Sequence, residues 1–163
     1  MEDEGKTVVI SRVFDAPREV VFRMWTDPKK ARTWFGLPAD AKCEVLEIDP
    51  RSGGKIHLES RNPDGSLYPA FGVFDEVIPP RLITFTSESP LASFKKTTLP
   101  DGSPAWKCFN KAVFEEEGSG KTRLTVTVRV IMSAVDPIED MAAGFEGGWG
   151  ESLDLLAANL ERF

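Results

Sequence analysis

Apolar residues recur at steps of three or four near the C-terminus: Ile138, Met141, Phe145, Trp149, Leu153, Leu156, Leu160 and Phe163. That spacing puts them on one stripe of a long helix. Its start is marked by Asp136 as N-cap, Pro137 at the first helical position and Glu139 completing a capping box. At ~1.5 Å rise per residue the helix approaches ~40 Å, so it needs a broad sheet to lie on. Gly144, Gly147, Gly148 and Gly150 interrupt the stripe, each at roughly 0.8–1 kcal/mol against Ala. Two readings stand. The glycines form a loop and the helix begins near Trp149, or the helix is continuous and its first half packs closely or moves. Leu153 to Phe163 is helical on both.

Upstream the pattern changes twice. Thr7 to Phe14 is a β-branched run, a first strand, closed by Asp15-Ala16-Pro17. Pro17 opens a short helix with Val20, Val21, Met24 and Trp25 on its apolar side. A second, Pro28 to Phe35, carries Ala31, Trp34 and Phe35 and stops at Gly36 and Pro38. From Ala41 the period is two. Strands are predicted at Cys43 to Asp49, Lys55 to Arg61, Tyr68 to Ile78, Arg81 to Ser87, Trp106 to Glu116 and Thr122 to Met132. Turn sequences separate most of them, which implies an antiparallel meander. Ser89 to Pro104 has no period and reads as a long loop. In the last hairpin, a turn centred near Ser119 sets Phe114 opposite Leu124, Ala112 opposite Val126, Asn110 opposite Val128, Cys108 opposite Val130 and Trp106 opposite Met132. Opposed residues share a face, so Trp106, Cys108 and Asn110 point inward. The order of strand, two helices, six strands and long helix defines an α+β domain with helices on one side of an antiparallel sheet.

The chain has 163 residues and a net charge of -6. One domain is expected over 1–163, with 1–6 a disordered lead-in. The charge excludes an overall basic footprint for nucleic acid. No apolar run is long enough to span a bilayer, and Met1-Glu2-Asp3-Glu4 is acidic where a signal peptide is basic. The expectation is a cytoplasmic protein, a monomer or weak dimer, without nucleic-acid or membrane partners. Cys43 and Cys108 are too few for a disulfide scaffold and are read as reduced, buried thiols.

Several short motifs then fall into a known order: Phe14-Asp15-Ala16-Pro17, Val21-Phe22, Trp25-Thr26-Asp27-Pro28, Trp34, Gly53-Gly54, Gly72-Val73-Phe74, Pro79-Pro80-Arg81-Leu82, Thr122-Arg123-Leu124-Thr125, Gly148-Trp149 and Glu151-Ser152-Leu153-Asp154. Over Val8 to Arg162 the chain resembles the START-like (SRPBCC) superfamily, and within it the homologues of the activator of the ninety-kilodalton heat-shock protein ATPase. The resemblance implies a helix-grip fold: a curved antiparallel sheet gripping the C-terminal helix, with a cavity between them that the superfamily commonly uses for hydrophobic ligands. It does not fix function, because one fold serves carriers, cyclases and co-chaperone domains.

The chain carries no dinucleotide fingerprint, P-loop or His-Glu-x-x-His pair. Ser52-Gly53-Gly54 lies between strands and is a turn. His57 is the only histidine, and it shares a polar strand face with Lys55, Glu59 and Arg61, which reads as an exposed surface residue. Neither a metal site nor a cofactor is expected, since a zinc site wants ~four N/S ligands. Asp75-Glu76 and Glu115-Glu116-Glu117 read as solvated charge, with Glu76 kept because its strand is otherwise apolar. The aromatic residues carry the functional signal. Trp25 is read as core, while the expected cavity wall comprises Trp34, Phe35, Leu58, Phe71, Phe85, Trp106, Cys108, Asn110, Val130, Met132, Met141, Phe145 and Trp149.

Three functions compete. The first is a carrier or sensor of a small hydrophobic or aromatic molecule. The second is a chaperone-interacting module, as the resemblance implies, although the chain matches only the activator's C-terminal part. The third is a cyclase- or hydrolase-like enzyme using Glu76, Asn110, Tyr68 or His57.

Overall fold

The computed structural model describes residues 6–34, 42–61, 67–89, 105–134 and 137–160. The elements run β1 (Lys6–Phe14), α1 (Arg18–Thr26), α2 (Pro28–Ala31), β2 (Lys42–Ile48), β3 (Lys55–Arg61), β4 (Leu67–Ile78), β5 (Leu82–Ser89), β6 (Trp106–Glu116), β7 (Thr122–Ser133) and α3 (Ile138–Leu160). One seven-stranded sheet takes the order β1-β7-β6-β5-β4-β3-β2, antiparallel at every pairing. This is the expected helix-grip α+β architecture. Lys6 already belongs to β1, and residues 1–5 lie outside the described residues. Phe35, Asp136 and most of the stretch 89–104 lie outside the described residues.

The meander forms because each strand alternates and each turn has the residues its geometry needs. Gly53 sits at φ +83°, a region that favours glycine. Beside it a Cβ on Gly54 would collide with the Asp49 carbonyl. At the β6–β7 hairpin Gly118 and Gly120 take φ of +67° and +72°. The Arg123 guanidinium grips Glu117 with Nε–Oε1 at 3.0 Å and Nη2–Oε2 at 3.3 Å. These hydrogen bonds hold the Glu117 carboxyl below its ordinary pKa.

The hairpin register follows the expectation from Phe114↔Leu124 through Cys108↔Val130. It then slips. A bulge between Lys107 and Cys108 pairs Trp106 with Ser133 and Met132 with Lys107. A bulge adds one residue to one strand, so everything beyond it changes partner.

The core lies between the concave face of the sheet and the helices. Val126, Val128, Leu124, Ile83 and Phe114 supply the sheet side, and Leu153, Leu156 and Met141 supply α3. α3 packs on β1 and β7, held at its far end by Asn159, which donates to the Leu155 and Thr33 carbonyls at 2.8 and 3.4 Å. The helix is unbroken from Ile138 to Leu160. The loop reading of the glycine segment is therefore corrected. Close packing does not explain Gly147 or Gly148 either, since a Cβ on each would meet no atom within 4 Å. A helical glycine facing open space gives up stability to alanine. Gly147→Ala with Gly148→Ala is expected to raise unfolding free energy by roughly 1–2 kcal/mol in a denaturant titration. A lower midpoint would mean that a partner surface needs the bare backbone.

Candidate functional site

Strand registers define rows across the concave face. One runs Ile56–Gly72–Ser87–Cys108–Val130. Its neighbour runs Phe74–Phe85–Asn110–Val128. On the other side Leu58 pairs with Ala70, and Ser89 pairs with Trp106. The middle row carries small side chains at three successive strands, so it forms a trough beside the taller Phe74–Phe85 row. Ser87 is only half-buried, although Cys108 beside it is fully buried.

The polar groups of this face are organised. Asn110 is 2% exposed. Its Nδ2 donates to the Phe85 carbonyl at 3.3 Å and to Ser87 Oγ at 2.9 Å. The Phe85 carbonyl can only accept, which fixes the amide with its NH2 toward β5. Ser89 Oγ donates to the Pro69 carbonyl at 2.6 Å. Burial raises the Cys108 thiol to about 12, so it is a neutral, small and weakly polar group at physiological pH.

The helices supply an aromatic ceiling. Trp25 of α1 stacks on Trp149 of α3 with centroids 5.5 Å apart and planes at 16°. Trp34, after α2, leans on Trp25 at 4.9 Å and on Trp149 at 6.3 Å. It also donates Nε1–H to the Met24 carbonyl at 2.8 Å. Phe85 meets the edge of Trp25 at 6.4 Å. Phe145, one turn before Trp149, makes a T-shaped contact with Trp106 at 4.9 Å. Phe145 and Trp149 remain only partly buried.

Of the residues expected in the wall, Trp34, Leu58, Phe85, Trp106, Cys108, Asn110, Val130 and Met141 are buried, and Phe145 and Trp149 are partly buried. Two residues do not join it. Phe71 is 38% exposed and stacks on His57 at 4.5 Å. It pairs with Glu88, which forms a 3.7 Å ion pair with Lys107. Met132 pairs with Lys107. Phe71 and Met132 thus belong to the outer face, Phe71 because Gly72 and Phe74 hold the inward positions and Met132 because of the bulge.

Of the groups considered for catalysis, His57, Glu76 and Asn110 are not brought together, and the Tyr68 side chain lies outside the described residues. His57 is on the outer face with Phe71, its Nε2 3.9 Å from Glu59 Oε2. Glu76 is exposed beside a bulge in β4, with its backbone N–H donating to Thr84 Oγ1 at 3.0 Å. Asn110 faces the interior. Among the described residues no cluster of three His, Cys, Asp or Glu side chains could hold a metal. No described helix is long and apolar enough to cross a membrane. Ser87 was not anticipated, yet it lies two residues after Phe85 and shares its face, so strand parity carried the signal.

A curved seven-stranded antiparallel sheet closed by one long helix, with two short helices after the first strand, places the protein in the helix-grip class. The chain belongs to the family described as activator of Hsp90 ATPase homolog 1-like protein, whose model matches residues 15–161. A solved protein from Chromobacterium violaceum is 27% identical over 95% of this chain and 97% of its own, with TM-score 0.75. One from Rhizobium leguminosarum is 26% identical over 98% and 97%, with TM-score 0.72. The AHSA1 protein of Silicibacter pomeroyi, at 23% identity over 96% and 98% with TM-score 0.76, shares the fold. No curated protein matches the chain.

Proposed function

We propose that the protein binds a small, largely apolar molecule between the concave face of the sheet and α3. The observation that carries this reading is the trough of Gly72, Ser87 and Cys108. Its middle residue stays half-buried on the inner face of the sheet, and the aromatic residues Phe145 and Trp149 of α3 are also incompletely covered. Ligand sites are mostly apolar, with a few placed polar groups, and Asn110 with Ser87 supplies them. Native mass spectrometry of protein purified from cells tests this. The expected result is an adduct of constant small mass that disappears on denaturation. Adding the released compound back should raise the melting temperature by mass action. A bare protein mass, with no melting shift across a panel of lipids and flat aromatics, would overturn the reading.

A second reading is a chaperone-facing module, as the family description states for the activator. The outer face favours it, since Phe71, Val73 and Ile131 are 38%, 41% and 38% exposed there. Its test is the ATPase rate of Hsp90 with added protein. A rate that rises and then loses the rise with Phe71→Glu supports it, and an unchanged rate contradicts it.

A further inference from the structure

We infer that Asn110 and Ser87 form an anchor for one hydroxyl group of an otherwise apolar, uncharged ligand. This rests on the binding reading above and names the chemistry of the guest. Asn110 is almost completely buried, and both donors of its amide are engaged, one by the Phe85 carbonyl and one by Ser87 Oγ. Among the described residues nothing donates to its Oδ1. That oxygen is not among the buried side-chain atoms left without a partner, so it still reaches open space and can accept a further hydrogen bond. Ser87 Oγ accepts from Asn110, so its own proton is free to turn toward the trough. The pair therefore offers an acceptor and a donor side by side. A hydroxyl group matches both, donating to Asn110 Oδ1 while accepting from Ser87 Oγ–H.

The surroundings decide the charge. The row neighbours Gly72, Cys108, Phe85 and Val130 carry no formal charge, and the Cys108 thiol stays protonated. Among the described residues, an anion placed here would lose its hydration without gaining a cation, and a cation would find no carboxylate. Trp106 and Phe145 beside the trough favour a flat apolar body behind the hydroxyl.

Isothermal titration with matched probes tests the anchor: naphthalene against naphthol, and toluene against cresol, with naphthoate as the anion. The hydroxylated member of each pair is expected to bind at least about tenfold more tightly, equivalent to ~1.4 kcal/mol. Asn110→Leu keeps volume but removes the acceptor, and should abolish that preference. Ser87→Ala, the milder change should Asn110→Leu fail to fold, should reduce it severalfold. Saturable binding with equal affinity for both members of a pair, or tightest binding of naphthoate, would overturn the anchor and leave the binding reading intact. Silence of every probe would overturn both together.

Discussion

Leu153→Asp is expected to leave the protein unfolded or molten, with near-ultraviolet circular dichroism lost and no cooperative melting transition. Leu153 is 0% exposed on α3, just past the last of the helix's glycines, Gly150. A carboxylate there enters the apolar interface with β1 and β7, where Arg12 of β1 is already 3.8 Å from Asp154. Removing the leucine forfeits packing worth roughly 2–5 kcal/mol. Burying an unpaired charge adds several kcal/mol more, or forces the group to take up a proton. Domains are stable by only about 5–15 kcal/mol, so the sum reaches the whole stability. Leu156→Asp should behave alike, since Leu156 is also 0% exposed. A soluble variant with an unchanged transition would mean that this helix does not close the core.

Trp25→Ala comes next in magnitude, at about 3–5 kcal/mol in a denaturant titration. Trp25 is 2% exposed and joins three layers. It stacks on Trp149 of α3, leans on Trp34 after α2 and meets Phe114 of β6 at 5.8 Å. Phe114 in turn touches Phe22 at 5.2 Å. Each aromatic contact contributes about 0.5–1.5 kcal/mol beyond area, and the indole leaves a cavity that rigid strands cannot collapse into. Trp106→Ala should cost less, because its partner Phe145 is itself half-exposed and can relax. If the two substitutions cost the same, the aromatic ceiling is not the joint between the helices and the sheet.

The strands and helices were legible because β7 alternates cleanly from Leu124 to Val130, and because the Gly53-Gly54 turn marks itself. The long helix was legible from its stripe, but its continuity was not. Propensity penalises Gly147 and Gly148, whereas the fixed ends of α3 override a local cost of that size. Strand parity failed where strands bulge. Met132 looked inward because alternation from Leu124 onward leads there, and a one-residue slip leaves the local pattern intact while changing the partner. Phe71 and Phe74 lie three apart, so one face cannot hold both in a regular strand. Only the pairing of Gly72 with Ile56 and of Phe74 with Phe85 shows which points inward. The stacking of Trp25 on Trp149 joins residues 124 positions apart by their own numbering, and no single segment encodes it. Ser87 and Asn110 became a pair for the same reason: their proximity is a property of the β5–β6 register.

The central claim is that a ligand sits on the concave face. A nitrogen–proton NMR titration, following backbone amides and the four tryptophan indoles, tests it most directly. The molecule that co-purifies, or naphthol in its place, should shift Ser87, Cys108, Asn110, Phe145 and the indoles of Trp106 and Trp149 together, along one saturable curve. His57, Phe71 and Val73 on the outer face should stay where they are. Shifts confined to that outer face, or none at saturating ligand, would contradict the account.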